Sequence, residues 1–292
     1  MRDFRHQAAL SDRDRTELER VGVPAVAKVG AAIQRAVLGA VLDNANAGTI
    51  RELIARGTPA MIPVLRDAMV AGHLRGRIRA LTRAAGSLTT KGMAFGAYDE
   101  ALEQFAKRLQ LGDADIDRLR TLYNNEAVRV TRSANDLLEA RASQAIRESL
   151  AEGEHTRAAT ERMKQAFAAA GVVPDNNLLC ETLARTQIQL AYGAGAWNAN
   201  QLPEIQEILR GYHYVTVGDA RVRPNHAEMD GTMAAPDNPL WEKWWPPSGF
   251  NCRCACIPIF GDFEEYIPDP LPEPDEGWDY NPGMVFQDSL AE

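Results

Sequence analysis

The chain is poor in cysteine, and what it has is clustered: of four cysteines in 292 residues, three are Cys252, Cys254 and Cys256. An evenly spread disulfide framework is excluded, and with it the small secreted scaffold, so synthesis in a reducing cytoplasm is the expectation. Positive charge is also short, with 32 basic against 40 acidic side chains and a net charge of −8. That balance argues against a surface that is one continuous nucleic-acid glove; any DNA contact should be local. Long apolar runs are missing as well. The opening MRDFRHQAALSDRDRTELER has no apolar core behind its charges and does not read as a secretory signal, and AAIQRAVLGAVL is too short and too interrupted to span a bilayer. A soluble chain is expected. No nucleophile-elbow pattern and no periodic repeat is visible, which counts against a serine or cysteine hydrolase of that type and against a solenoid.

What is present divides into two textures. The length suits two modest domains of about 100–200 residues each. From about residue 15 to 200 the chain is Ala-rich, with apolar residues at three- and four-residue spacing, and reads as helices. Thr49-Ile50-Arg51-Glu52 has the form of a capping box for a helix to about Ala55, and Pro59 and Pro63 mark a new start. Gly86–Gly92 reads as a loop. Phe95, Leu102, Phe105 and Leu109 recur on one face up to Gly112, and Ile116, Leu119 and Tyr123 resume the stripe after Asp113 or Asp115. Leu138, Ala142, Ile146 and Leu150 carry it to Gly153; Thr156 and Asp175 suit the caps of two further helices. The basic run Arg75, Arg77, Arg79 and Arg83 lies on a helix, where it could meet phosphates or form a solvated face paired with nearby acids.

From Trp197 onward helical periodicity fades while prolines and tryptophans accumulate, which fits a compact α+β region with long constrained loops; Tyr212–Val217 alternates like a strand. Trp241, Trp244 and Trp245 read as the core of that region. The last 31 residues, from Asp262, hold ten acidic and no basic side chains, with Pro268, Pro270, Pro272 and Pro274 alternating, and favour an extended arm.

Chemistry concentrates between Asp219 and Pro258. In an extended segment Cys252, Cys254 and Cys256 would face one way and Arg253 the other, so with His226 they are candidate ligands for zinc. Same-face residues on a straight strand are about 6.6 Å apart, whereas two sulfurs on one zinc come within about 4 Å, so the strand would have to turn. The competing reading is a reduced, packed Cys-x-Cys with His226 hydrogen-bonded to a neighbour. Asp219, His226 and Asp230 could instead serve a metal-dependent nuclease or a toxin-like transferase. The blander reading of the two carboxylates is a clasp: they accept from loop N–H groups and pair with Arg221 and Arg223, fixing a long irregular loop.

Read together, Asp219-x-Arg221-x-Arg223-Pro-x-His226-x-x-x-Asp230-Gly231, then Pro246-Pro247-x-Gly249-x-Asn251-Cys252-Arg253-Cys254, resemble the motifs of the phage Mu F-like minor head (head morphogenesis) family. Arg185-Thr186 upstream and Trp278-x-Tyr280-Asn281-Pro282-Gly283 downstream match further pieces, so the likeness covers roughly residues 140 to 284. Where this chain has Arg223-Pro-Asn-His226, relatives often carry Cys-x-x-Cys, and Arg223 cannot be a metal ligand. The resemblance implies a mainly α-helical N-terminal region (1–135), a compact α+β Mu F-like domain with long loops (136–261) and an acidic Pro-rich arm (262–292). It implies a structural protein without catalytic residues, a role in phage or prophage head assembly, and association with the portal protein at the portal vertex. Scaffold or major capsid protein and packaged DNA are further partners on this reading, and a membrane is not. The expected location is the virion interior, reached from the host bacterial cytoplasm during assembly.

Overall fold

The computed structural model describes residues 2–43, 45–85, 98–152, 156–172 and 178–287. The expected loop at 86–92, the stripe residue Phe95 and the Asp175 cap lie outside them. Among the described residues eight α-helices come first: α1 (Arg2–Leu42), α2 (Ala47–Gly57), α3 (Met61–Ala84), α4 (Tyr98–Leu109), α5 (Asp113–Ala151), α6 (Thr156–Ala169), α7 (Leu178–Asn200) and the single turn α8 (Pro203–Gln206). The irregular remainder holds β1 (Gly211–Val215), α9 (Pro224–Glu228), β2 (Met233–Ala234), α10 (Leu240–Lys243), β3 (Ala255–Ile259) and α11 (Pro282–Val285). A mainly helical N-terminal region followed by an α+β C-terminal part is thus what the chain forms.

Contacts group the chain into two units that interleave along the sequence. One comprises the stretch up to Val21, Asp67–Leu122 and Arg185 onward; the other comprises Gly22–Arg66 and Tyr123–Ala184. The second unit is helical, and its core is the apolar stripes: Val26, Ile33 and Val37 of α1, Ile50 and Ile54 of α2, Val130 and Leu138 of α5, Met163 and Phe167 of α6 are all buried. Within it, Gln34 Nε2 donates to the Val172 carbonyl at 3.0 Å, so a buried amide is satisfied by the chain that leaves α6.

Two local expectations are corrected. The cap of α2 is Asn46, whose side chain accepts from Thr49 N, so Thr49 lies inside the first turn and the helix starts three residues earlier. A short-side-chain amide at the N-cap satisfies an orphan N–H as well as a hydroxyl does. AAIQRAVLGAVL is part of a 41-residue helix that runs through Pro24, and by length and composition Ala9–Leu42 is long and apolar enough to cross a membrane. Its apolar positions Val26, Ile33, Val37 and Val41 are buried in the second unit.

In the first unit β1 is the middle strand, antiparallel to β2 on one side and β3 on the other, with Tyr212 opposite Ala234 and Pro258. Against the sheet lies an aromatic core of Tyr212, Tyr214, Trp241, Trp244 and Trp245, where the rings meet edge to face at 4.9–6.4 Å. Each indole N–H has a carbonyl partner: Ala235 for Trp241, Pro272 for Trp244, Gly193 for Trp245. The tryptophans are core, as their number in so loop-rich a region suggests. The described part of the acidic tail is largely irregular, with α11 near its end, and it is laid back on this core: Tyr266 bridges to Met233, Trp244 holds the Pro272 carbonyl, and Asn281 is buried with its amide on the Trp241 carbonyl.

Candidate functional site

The two ends of the motif fold onto one another in the first unit. After β1 the chain turns at Gly218, whose φ is +70°, and Asp219 accepts from Arg221 N at 3.0 Å, closing an Asx-type turn. Arg223 and Pro224 then start α9 in the usual way, with proline in the first turn. Asp230 accepts from both Thr216 N (2.7 Å) and Thr216 Oγ1 (3.1 Å), tying the end of β1 to the turn at Gly231, whose φ is +90°. On the other side the chain turns at 249–251, where Asn251 adopts φ +53°, and Cys252–Cys254 follow as irregular chain before β3. The sulfurs of Cys252 and Cys254 lie within 4.8 Å of one another, closer than the spacing of same-face residues on a straight strand.

Arg253, Arg223 and His226 join the ends, and Asn251 ties the second of them to α7. Arg253 grips Asp219 with both terminal nitrogens, at 2.8 and 2.6 Å. Arg223 donates to the Phe250 carbonyl at 2.6 Å and pairs with Asp275 at 3.1 Å. His226 meets Cys252 and Cys254, and Asn251 N donates to Thr186 Oγ1 on α7 at 3.2 Å. The fork of Arg253 holds the Asp219 carboxyl well below the usual carboxylate range. A clasp therefore exists, with different partners from those the sequence suggests: Asp230 serves Thr216, Asp219 takes Arg253 as well as Arg221, and Arg223 takes Asp275. Gly249 is required by this packing, because a Cβ there would lie 2.2 Å from Asp275 Oδ2. Asp219, His226 and Asp230 each have separate partners and do not converge into a proton-transfer set.

The His226 ring is 1% exposed, and Cys252 and Cys254 are 5% and 2% exposed. Its Nδ1 lies 3.7 Å from Cys252 Sγ and 3.5 Å from Cys254 Sγ, and its Nε2 lies 3.7 Å from Asp275 Oδ1. The edge of the ring meets Trp244, and the Tyr214 hydroxyl faces Cys254. Burial opposes ionisation of the thiols, but hydrogen bonds from Cys254 and His226 draw Cys252 below its ordinary range while its neighbour is pushed up. Cys256 lies apart, inside β3, with its sulfur 3.9 Å from the Trp244 carbonyl. Asp12, Glu19, Arg185, Arg221, Arg223 and Arg253 contribute to the wall of a polar cavity of about 420 Å³ that also touches Cys252, and Arg185 pairs with Glu19 at 3.2 Å.

The basic run on α3 is neither a phosphate-binding stripe nor a solvated face. Arg75, Arg77 and Arg79 are buried, and Arg75 and Arg79 both hold the carboxylate of buried Asp14 on α1, with Arg79 Nε at 2.8 Å. Arg83 donates to the Pro258 carbonyl of β3. Guanidiniums committed to a buried carboxylate and a strand carbonyl cannot reach a duplex, so the DNA-binding reading of this helix is withdrawn. Sequence reasoning also missed Arg15. It is 1% exposed and donates to Gln189 Oε1, the Cys254 carbonyl and the Arg253 carbonyl at 2.6, 3.2 and 2.9 Å, while Gln189 reaches the same Cys254 carbonyl at 3.0 Å. Its local signal is a charge on a helix beside Asp12, with which it pairs at 2.8 Å, and that ordinarily means a surface position.

Comparison with known proteins bears on this arrangement. Residues 140–257 match the family model for Phage Mu protein F like protein. That stretch of the chain is similar to the Mu F-like family. A 73-residue stretch is 34% identical to the putative capsid assembly protein F of Escherichia phage Mu, taking in 25% of this chain and 16% of that protein. The Mu-like prophage FluMu F protein of Haemophilus influenzae is 34% identical over 73 residues, or 17% of its length, and an uncharacterized protein of the same organism is 36% identical over 59 residues, 20% of this chain and 13% of that protein. The chain thus spans at most about a sixth of the length of these curated relatives. No solved structure matches it. The Mu F-like segment contains His226, Asp219, Arg253 and the cysteines, but Arg15 and Asp275, which complete the clasp, lie on either side of it.

Proposed function

We propose that this chain is a structural, non-enzymatic head-assembly protein of a phage or prophage, acting at the portal vertex beside the portal protein and housed inside the virion. The coarse part of this reading rests on the Mu F-like segment and on the capsid-assembly role that the phage Mu relative's name carries. The observation that favours a brace over a catalyst is the bidentate Arg253–Asp219 pair across 34 residues of sequence, set beside a His226 already engaged by two thiols. Groups committed to one another in this way hold a loop in place; a proton-transfer set needs free partners aimed at a common point.

The test is genetic and biochemical together. With an early stop codon in this reading frame of its phage or prophage, induced cells should yield few DNA-filled heads by electron microscopy, and complementation with the full chain should restore them. A tagged chain expressed with the portal protein of the same phage should copurify with it. Normal head yield without the chain would refute the assembly role, and capture of major capsid protein in place of portal protein would refute the vertex assignment.

A further inference from the structure

We propose that His226 Nδ1, Cys252 Sγ and Cys254 Sγ bind one zinc ion, with Asp275 as the residue that orients the imidazole and Cys256 outside the coordination shell. The inference is independent of the assembly role, since it concerns only what the side chains of the first unit can hold. Thiolates at about 2.3 Å and an imidazole nitrogen at about 2.0–2.1 Å from a tetrahedral ion stand about 3.5–3.9 Å from one another. The two nitrogen–sulfur separations here are 3.5 and 3.7 Å, and all three donor atoms lie within 4.8 Å of one another.

The second ring nitrogen gives independent support. A metal-bound histidine characteristically presents its other nitrogen to a carboxylate, which fixes the tautomer and the ring plane. Here Nε2 is buried, has no hydrogen-bond partner, and points to Asp275 Oδ1 at 3.7 Å. Asp275 is itself held by Arg223 Nε at 3.1 Å and Asn225 Nδ2 at 3.2 Å, so its position is set before the ring arrives. The donor set is one nitrogen and two sulfurs in an apolar surround of Trp244 and Tyr214, which suits zinc and disfavours magnesium, calcium and manganese. Among the described residues no fourth side chain joins the cluster, so a non-protein donor completes the shell. Because His226 comes from the first half of the motif and both cysteines from the second, the ion would staple the same two ends that Arg253 and Asp219 join.

The experiment uses the full chain, expressed without a histidine tag, kept reduced, loaded with zinc chloride and desalted, with metal counted by mass spectrometry. About one zinc per chain is expected, and cobalt in its place should show tetrahedral d–d bands with charge transfer from two thiolates, not three. Cys256→Ser should retain the metal in full, while Cys252→Ser and Cys254→Ser should lose it. Should the last two fail to fold, Asp275→Asn, checked by circular dichroism, should weaken zinc about 10- to 100-fold in competition with a chromogenic chelator. Less than about a tenth of an equivalent in the reduced wild type, metal loss in Cys256→Ser, or unchanged affinity in folded Asp275→Asn would each overturn the proposal.

Discussion

Gly195→Ala should destabilise the first unit sharply, although alanine is the better helix former. Gly195 sits on α7 where α3 crosses it, and a Cβ at that position would lie 1.9 Å from the His73 carbonyl oxygen and 2.7 Å from its carbon. The contact is reciprocal, because Cβ atoms at Gly72 and Gly76 on α3 would stand 2.8 and 2.0 Å from the carbonyls of Ile188 and Tyr192. Ordinary contact begins at 3.4 Å, so the backbones would have to separate by roughly 1.5 Å. No rotamer can absorb this, since backbone stands on both sides. Alanine gains about 0.8–1 kcal/mol in helix propensity. Overpacking a tight core costs about 1–3 kcal/mol and more where nothing yields, and moving α7 also strains the Thr186 contact to Asn251 and the Gly193 carbonyl that seats Trp245. The expected net loss is about 2–4 kcal/mol. Gly39→Ala on α1 is the control, because its Cβ would meet nothing within 4 Å; it should gain about 0.5–1 kcal/mol. Urea denaturation followed by circular dichroism, compared at constant slope, measures both. A Gly195→Ala protein as stable as wild type, or a shift of the same sign in the two variants, would show that the close helix crossing is not what the sequence is built around.

Asp14→Ala removes the carboxylate that Arg75 and Arg79 share in the interior, and leaving those two guanidiniums buried should cost about 3–5 kcal/mol in urea denaturation; a loss under about 1 kcal/mol would mean the pair is hydrated. Burial pushes the His213 imidazole in β1 down to about 4, with nearby Arg83 pushing the same way and Asp230 opposing. The ring is therefore neutral in the fold, and the unfolded chain takes up its proton first, near pH 6.5. This stability is present above pH 6.5 and falls as pH drops towards 4, by about 3 kcal/mol in total. His213→Gln should lose correspondingly less between pH 7 and 4.5, and parallel pH profiles for the two proteins would contradict the assignment.

The helices were legible because burial in this chain follows the 3.6-residue period: Leu102 and Phe105, Leu119 and Tyr123, Leu138 and Ala142, Met163 and Phe167 are each buried where the stripe places them. The motif region was legible as a unit because its unusual residues serve one another across the loop. The arginines were misread for a physical reason. Composition treats a guanidinium as a surface group, but the carboxylate that makes its burial tolerable is at Asp14, 61 residues before Arg75. Arg15 was invisible on the same ground: besides Asp12 three residues before it, its acceptors lie at Gln189, Arg253 and Cys254. Alternating prolines in the tail carry no information about whether its carbonyls will be used, as those of Pro272 and Glu273 are by Trp244 and Asn225.

These long-range partners change what the family match means physically. A stretch recognisable from residue 140 to 257 ends before the strand carbonyl of Pro258 that Arg83 takes, before Asp275, and before the Asn281 amide that closes on Trp241. It begins long after Arg15, which donates to two carbonyls of the Cys-Arg-Cys stretch. A buried carbonyl that loses such a donor keeps the full cost of its desolvation, about 1–3 kcal/mol for each group. The groups that satisfy buried carbonyls of the matched segment therefore come from outside it, from Arg15 of α1 for Arg253 and Cys254 and from Asn281 of the acidic tail for Trp241, so the segment alone would leave those acceptors without their donors.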